Sequence, residues 1–357
     1  MRNKSVSLSD IAERLSISKM TVSLALRDNP RISISTRRRV AKVATEMGYK
    51  PNPEVAKFMA AIRKQVRDKR GTPLAYLTTG EAKGVWRKSP TELHYWQGAS
   101  ERAKLYGYYL EEYWLDEPHM SEARMSDIIW NRGISGLILP PFARRLTKGS
   151  KDIQLKLKWD RFASVTISDM LTRPLLNRVV HDHYTSMLNL MDALAERGYR
   201  RIGLCLTSHM DLTVNQRWQA GYRVYRANHP IQRIEPLIER DLNPELLRAW
   251  IEDNQLDAVI SAERRMPDFF KSMGLQIGKQ IAYADLDVDP SDPSQESISG
   301  IVQNSHMMGQ AAVDMVVSAI QRNESDVPEI AQVLQVEGTW QNRGSTPNKK
   351  RAKQKSA

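Results

Sequence analysis

The chain has 357 residues, of which 41% are hydrophobic and only one, Cys205, is cysteine. This length allows two or three domains with packed cores. A single cysteine excludes a disulfide framework and a cysteine-ligated zinc site. The longest apolar runs are far shorter than the ~20 residues that cross a bilayer, and the polar, basic N-terminus lacks the apolar stretch of a signal peptide. We therefore expect a cytoplasmic protein with no membrane partner.

The net charge of +12 is unevenly distributed along the chain. Residues 1–52 contain 11 basic and 4 acidic residues, residues 53–71 contain 6 and 2, and the segment from residue 341 onward contains 6 and none. The middle of the chain is therefore acidic, although the whole protein is basic. Positive charge concentrated at both ends indicates a nucleic-acid-binding segment attached to a neutral or acidic body.

The first fifty residues predict three short helices, each preceded by a candidate N-cap, at Ser7, Ser18 and Ser33. Their apolar stripes are Leu8, Ile11, Ala12 and Leu15 in the first, Val22, Ala25 and Leu26 in the second, and Val40, Val43, Ala44 and Met47 in the third. The second helix would span residues 19–26 and the third would end at Gly48. Two helices joined by a tight turn, with short polar residues at the start of the second, form a helix-turn-helix arrangement.

Residues 6–52, which include SISKMTVSLALRDNPRISISTRRRVAKVATEMGYKPN, resemble the signature of the lac-repressor (LacI/GalR) family of bacterial transcription regulators. The outward side chains Lys19, Met20 and Leu24 would meet base edges in the major groove, where Lys19 can donate to guanine. Family members commonly have Arg at the position of Leu24, so the operator is expected to differ from the usual family site. Phosphate contacts are expected from Ser7, Ser18, Thr21, Ser23, Asn29 and Arg31. We also place Tyr49, Asn52, Val55, Ala56 and Met59 in the DNA-binding set.

Residues 54–62 have helical composition and an apolar stripe after Pro53. The resemblance implies a hinge helix that inserts an apolar side chain into the minor groove. Met59 is the first choice for this side chain and Phe58 the second; the alternative is that both pack against the body. The predicted domains are 1–52 (helix-turn-helix), 53–71 (hinge helix and linker), 72–343 (effector binding and dimerisation) and 344–357 (a disordered basic tail).

From residue 72 onward, short apolar strands alternate with longer helical segments. The predicted strands are LAYLTT, YYLEEYW, GLILPP, ASVTIS, RVVHD, RIGLCL, DAVISAE and QIAYADL. Helices are predicted over residues 93–109, 121–131, 186–197, 215–227, 244–254 and 307–321. This alternation predicts parallel α/β structure, and the number of units suggests two sheets side by side.

Three segments, GYRRIG (198–203), RWQAGY (217–222) and DAVISAE (257–263), match family positions in order. The body therefore resembles the periplasmic-binding-protein-like effector domain of that family, in which two lobes enclose a ligand cleft. Cleft candidates at strand ends, with one aromatic platform, are Thr79, Trp86, Ser168, Asp169, Arg217, Trp218, Glu263, Asp285 and Asp287. Family members often have Arg where this chain has Trp218, so either Arg217 still reaches the ligand, or Trp218 replaces it, or Trp218 lies in the core.

We find no catalytic constellation and expect no enzyme activity, cofactor or metal, since HDH (181–183) lacks a third ligand nearby. The fold class is an N-terminal all-α helix-turn-helix domain plus an α/β two-lobed periplasmic-binding-protein-like domain. We expect a repressor whose affinity for a near-palindromic operator is controlled by a small molecule, namely a sugar or sugar derivative. The homodimer surface would include residues 301–308. Alternatives are an activator or corepressor-dependent regulator, or a solute-binding or sugar-processing protein with a vestigial DNA domain.

Overall fold

The computed structural model describes residues 8–18, 21–22, 25–26, 32–47, 71–142 and 153–349. The chain divides into two compact units, Met1–Lys69 and Arg70–Ala357. The predicted hinge helix, including Val55, Ala56, Phe58 and Met59, lies outside the described residues, as do residues 350–357 of the predicted tail.

The first unit contains a tight turn between two helical segments. Helix α1 (Leu8–Leu15) ends at Ser16, whose φ of 52° lies in the left-handed region. The amides of Ser16 and Ile17 each donate to a carbonyl in the last turn of α1 at 3.1 Å, which satisfies acceptors that the helix end leaves free. Ser18 Oγ then accepts a hydrogen bond from the Thr21 amide at 3.0 Å, and residues 21, 22 and 25 are helical. Ser18 is thus the predicted cap of the second helical segment.

Helix α2 (Ile34–Glu46) begins at the predicted cap, where Ser33 Oγ accepts a hydrogen bond from the Thr36 amide at 3.2 Å. One small apolar core joins the segments, with Ile11, Ala12, Val22, Ala25, Val40 and Ala44 buried. The predicted inward faces are therefore confirmed for the side chains that the structure describes.

The second unit alternates strands and helices. Its first part contains β1 (Thr72–Thr78), α3 (Pro90–Leu105), β2 (Tyr108–Trp114), α4 (Glu122–Asn131), β3 (Gly136–Leu139), β4 (Ile153–Gln154), β5 (Ala163–Ile167), β6 (Leu171–Arg173) and β7 (Asn177–His181). The continuation contains α5 (His183–Glu196), β8 (Ile202–Thr207), α6 (Ser208–Thr213), α7 (Arg217–Asn228), β9 (Leu237–Glu239), α8 (Pro244–Asp253), β10 (Ala258–Ser261), α9 (Met266–Ser272), β11 (Ala282–Asp285), β12 (Ser299–Val302), α10 (Ser305–Gln321), β13 (Val333–Val336) and β14 (Thr339–Gln341).

Two six-stranded sheets define two lobes. The first lobe has the order β13-β7-β5-β3-β1-β2, with every pair parallel. The second lobe has the order β14-β12-β11-β10-β8-β9, in which only the β12–β14 pair is antiparallel. Helices cover both sheets, and each lobe has its own buried apolar clusters. This architecture confirms the predicted α/β fold with two sheets.

In the part of the second unit that the structure describes, the chain passes between the lobes three times. It leaves the first lobe after β7, returns after β12 so that α10 packs against α3, and leaves again between β13 and β14. Three neighbouring connections let two lobes change their relative angle without breaking either sheet. No helix in the described ranges combines the length and the apolar character that a membrane span requires.

Several boundaries differ from the predictions. The helix predicted over residues 93–109 is α3, which starts at Pro90 because the Ser89 side chain caps it. The predicted strands did not include β4, β6, β9, β12, β13 or β14, which are only two to four residues long. The tail predicted from residue 344 is wrong at its start, since Ser345 is 2% exposed and its hydroxyl donates to the Tyr283 carbonyl at 2.7 Å. Residues 344–349 therefore belong to the second lobe.

Candidate functional site

Two of the predicted DNA contacts, Ser18 and Thr21, lie in the described part of the helix-turn-helix. Their hydroxyls are 2.8 Å apart at the exposed start of the second helical segment, and the N-terminal end of a helix attracts anions. The other predicted DNA contacts lie outside the described residues: Ser7, Lys19, Met20, Ser23, Leu24, Asn29, Arg31, Tyr49, Asn52, Val55, Ala56 and Met59. Sequence reasoning did not single out the basic face of α2, where Arg38, Arg39 and Lys42 are exposed.

A cleft of about 430 Å³ lies between the two lobes of the second unit. Its walls come from the carboxyl ends of strands in both sheets and from the first turns of α3. The lining residues include Ser89, Thr91, Glu92, Tyr95, Ser168, Asp169, His181, His183, Trp218, Glu263, Arg264, Asp287 and Gln303. Ligands of open α/β sheets bind at strand carboxyl ends, and the volume is in the range of small-molecule pockets.

Five predicted effector contacts meet in this cleft, namely Ser168, Asp169, Trp218, Glu263 and Asp287. Four others, Thr79, Trp86, Arg217 and Asp285, are not among its lining residues. Trp86 is 2% exposed and packs against Tyr76 and Trp96, so its place in the cleft was wrongly predicted. In the sequence, a tryptophan after a buried strand is compatible with a place in the core or in the cleft, and only its packing in the structure distinguishes the two.

Glu112 on β2 explains where Trp86 lies. Its carboxylate accepts hydrogen bonds from the Trp86 indole at 2.7 Å, the Gly84 amide at 3.1 Å and the Thr78 hydroxyl at 3.0 Å, and Arg87 pairs with it at 2.9 Å. This buried hub holds the loop between β1 and α3. It thereby positions the first turns of α3 in the cleft wall.

The start of α3 contributes lining residues that the sequence analysis missed. These residues are Ser89, Thr91, Glu92 and Tyr95. Ser89 and Glu92 form the pattern Ser-x-x-Glu, and the Glu92 amide donates to Ser89 Oγ at 3.4 Å. That pattern is the known signature of a capping box at a helix N-terminus. Reading it would have placed the helix start, and hence these side chains, at the end of β1.

Asp169 follows β5 and lies between two arginines. Arg178 Nε is 2.9 Å from its Oδ1, and Arg217 Nη1 pairs with its Oδ2. The contacting N–H groups are not aligned for hydrogen bonds, so the attraction is that of an ion pair. Arg217 therefore meets the cleft through Asp169, while Trp218 is 4% exposed, belongs to the second-lobe core and presents only a small part of its surface to the cleft.

Three carboxylates come from the second lobe. Burial raises the pKa of Asp285 to about 6, although Tyr283 donates to its Oδ2 at 2.6 Å and the Asp287 amide donates to its Oδ1 at 2.8 Å. Burial also raises the pKa of Asp287, which accepts a hydrogen bond from the Thr91 hydroxyl at 3.2 Å. Burial acts to raise the pKa of Glu263 as well, but hydrogen bonds from Arg265 outweigh it and lower the pKa.

Two histidines lie at the first passage between the lobes. His181 is 1% exposed, its Nε2 is 2.9 Å from Ser186 Oγ, and burial lowers its pKa to about 4. Burial lowers the pKa of His183 as well, and its ring stands edge-on between those of His181 and Trp218 at 4.8 and 5.0 Å. Within the described ranges, no group of three or more His, Cys, Asp or Glu side chains could hold a metal ion.

The helix-turn-helix and the two-lobed body define a class of protein in which a small DNA-binding-type domain is joined to a periplasmic-binding-protein-like domain. Residues 7–52 match the model of the bacterial regulatory proteins of the lacI family. Residues 191–346 match the model of a periplasmic binding protein-like domain. The chain thus combines a lacI-family helix-turn-helix domain with a domain of that second type, as the sequence analysis predicted.

Curated relatives and solved structures agree with this assignment. The HTH-type transcriptional regulator GntR of Escherichia coli (strain K12) is 28% identical over 208 residues, 57% of this chain and 55% of that protein, so the chain spans about half the length of the curated relative it matches. The lac repressor dimer bound to operator and the anti-inducer ONPF is 17% identical, with a TM-score of 0.55 over 96% of this chain and 100% of that one. A CelR–cellobiose complex has a TM-score of 0.59 at 17% identity over 95% and 99%. At these identities the solved structures establish the fold.

Proposed function

We propose that this protein is a sequence-specific DNA-binding transcription regulator, and that it acts as a repressor in the cytoplasm. The observation that carries the proposal is the presence, in one chain, of a lacI-family helix-turn-helix and a two-lobed domain with a cleft. Support comes from the two serine caps, which orient the helical segments, and from the exposed basic side chains of α2. Residues 53–71 would transmit the lobe angle to the DNA-binding domain.

The proposed effector is an uncharged, polyhydroxylated molecule such as a sugar. Glu92, Asp169, Glu263 and Asp287 all line the cleft, and Arg264 is the cationic lining residue within the described ranges. Carboxylates accept hydrogen bonds from hydroxyl groups, whereas they repel an anionic ligand in a partly desolvated cleft. The CelR relative was solved as a cellobiose complex. Stacking of the effector on an aromatic ring should contribute less to binding than the sequence suggested, because Trp218 exposes little of its ring.

A homodimer on a near-palindromic operator is part of the same proposal, since two-fold symmetric regulators place one recognition helix on each half-site. The dimer surface expected around residues 301–308 needs correction. Ile301 is 0% and Met308 2% exposed, because both belong to apolar cores of their own lobes. Met307, 55% exposed, is the apolar side chain of this segment that remains available for a partner.

The test is a selection of genomic fragments by the purified full-length chain at physiological salt, followed by titration of each fragment against random duplex. We expect at least one fragment to bind far more tightly than random DNA, as specific binding exceeds non-specific binding by about a thousandfold or more. Replacing Lys19 with Ala should cost about 1–3 kcal/mol at one operator position, whereas Lys104→Ala, an exposed lysine of the other unit, serves as the control. Equal affinity for all fragments would refute the proposal.

The sign of regulation and the effector need separate measurements. A reporter gene behind the selected fragment should be more active when the protein is absent, and less active if the protein is instead an activator. Candidate sugars should raise the melting temperature of the free protein, because a ligand that binds only the folded state stabilises it by mass action. Matched sugar acids should bind more weakly than the uncharged sugars, and the reverse order would contradict the proposed ligand class.

A further inference from the structure

Among the described residues, two polar contacts cross the cleft from one lobe to the other. The Thr91 hydroxyl on α3 donates to Asp287, which follows β11. Asp169, which follows β5 in the first lobe, pairs with Arg217, the first residue of α7 in the second lobe. The first contact is a single hydrogen bond at 3.2 Å, whereas the second joins opposite charges. Charged partners attract more strongly and over a longer range than neutral ones.

The backbone of the first lobe presents Asp169 to its partner. Ser168 has a φ of 103°, a conformation that residues with a Cβ rarely adopt. Its amide nevertheless donates to the Val179 carbonyl of β7 at 2.9 Å, and its hydroxyl accepts from the Met170 amide at 3.3 Å. Such backbone conformations persist only where surrounding bonds hold them, and they concentrate at functional positions. The turn directs the next residue, Asp169, toward the cleft.

The partly buried carboxylate of Asp169 contacts one arginine from each lobe. One carboxylate oxygen faces Arg178 of its own lobe and the other faces Arg217 of the opposite lobe. The three side chains are 12%, 22% and 25% exposed, in the order Asp169, Arg178, Arg217, so solvent screens the attraction only in part. Arg178 holds the carboxylate in place, and Arg217 binds the second lobe to it.

We propose that Asp169 is a latch between the lobes, which holds them through Arg217 at the angle seen in this structure. The inference deepens the proposed function and rests on it in one respect, namely that the lobe angle is the quantity an effector changes. Asp169 lines the cleft, so an effector hydroxyl that donates to its carboxylate competes with Arg217 for it. Effector binding and release of the latch are then the same event, which is how a small ligand would shift the lobe angle.

The latch can be tested on the full-length chain without DNA or effector. The result can therefore be interpreted even if the proposed regulation of transcription is wrong. Spin labels at Ala123→Cys on α4 and Ala249→Cys on α8 place one exposed probe on each lobe. The native Cys205 is 0% exposed and burial raises the pKa of its thiol to about 12, so it stays unlabelled. Pulsed dipolar spectroscopy then measures the distribution of distances between the lobes.

Asp169→Asn should broaden that distribution and raise the population with the longer interlobe distance about fivefold, the change that corresponds to a partly exposed ion pair. The matched control is Asp127→Asn. Asp127 also binds two cations, Lys158 at 2.6 Å and Arg161 at 2.7 Å, but all three side chains belong to the first lobe. The control should leave the interlobe distances of the parent unchanged.

Two arginine variants separate a latch from a general loss of stability. Arg217→Met should reproduce the distances of Asp169→Asn, because it removes the cation of the opposite lobe. Arg178→Met should change the distances much less than Arg217→Met, because it leaves the Asp169–Arg217 pair across the cleft. Distances in Asp169→Asn and Arg217→Met that match those of the parent would overturn the proposal, as would equal opening in all the variants.

Discussion

A buried, neutral histidine at the first passage between the lobes predicts a pH-dependent stability. His181 ends β7, its ring packs beside Gly338, and a Cβ at residue 338 would lie 2.6 Å from Ser186 Oγ and 2.8 Å from His181 Cε1. Burial lowers the pKa of His181 to about 4, from an ordinary value of 6.5. The folded protein therefore resists the proton that the unfolded chain takes up readily.

The sign and size of the effect follow from that difference. Between pH 6.5 and pH 4, His181 binds more protons in the unfolded chain than in the folded protein. Its contribution to the free energy of unfolding therefore falls as the pH falls, and no effect of this group is expected above pH 6.5. Each pH unit of difference is worth about 1.4 kcal/mol, which gives about 3 kcal/mol once the pH is below 4. Between pH 7 and pH 5 the loss is about 2 kcal/mol.

Asp285 makes a pH-dependent contribution to stability of the opposite sign, which must be separated from that of His181. Burial raises its pKa to about 6 from 3.8, so the folded protein binds the extra proton and stability increases as the pH falls from 6 toward 3.8. Over the interval from pH 7 to pH 5 this gain is about 1 kcal/mol. The contributions of His181 and Asp285 therefore largely cancel over this interval, and only variants of each residue separate them.

The assay compares urea unfolding of the parent and of His181→Gln at pH 7 and at pH 5. All eight tryptophans follow residue 85, so their fluorescence reports unfolding of the second unit. The cost of the substitution should be smaller at pH 5 than at pH 7 by about 2 kcal/mol, because the variant no longer has the buried imidazole that acid charges. Asp285→Asn is the control of opposite sign. Its free energy of unfolding relative to the parent should be about 1 kcal/mol lower at pH 5 than at pH 7. An identical cost of His181→Gln at both pH values would refute the reasoning.

Three further substitutions test other parts of the structure. Glu112→Gln removes the charge that Arg87 pairs with and weakens the support of the Trp86 indole, so it should lower the free energy of unfolding by about 2 kcal/mol; an unchanged urea midpoint would contradict this. Gly309→Ala places a Cβ against the Tyr95 carbonyl where α10 meets α3, and calorimetry should show a loss of about 2 kcal/mol or more, with no loss if the helices separate freely. Ser33→Ala removes the α2 cap and should cost about 1 kcal/mol, seen as faster amide hydrogen exchange in that helix and not in the second unit.

Local signals were enough to predict the described helical segments of the first unit and the alternation of strands and helices in the second. Ser18 and Ser33 cap their helical segments through hydrogen bonds that span three residues, and the inward apolar positions follow from helical periodicity. The buried strands β1, β3, β5 and β8 are apolar runs that need no knowledge of their neighbours. Interactions between residues a few positions apart can be predicted from the local sequence, and the family signature at residues 7–52 can be recognised in the same way.

The site, by contrast, was decided by tertiary structure. The sequence left open whether Arg217 or Trp218 reaches the cleft; the fold pairs Arg217 with Asp169, 48 residues away in the other lobe, and buries most of Trp218. Trp86 turned away from the cleft because Glu112 accepts its indole N–H, and the strands β12, β13 and β14 exist only because sheets built earlier in the chain offer them edges. Each outcome depends on which groups meet after burial, since desolvation and pairing energies act between residues that are distant in sequence and have no local pattern.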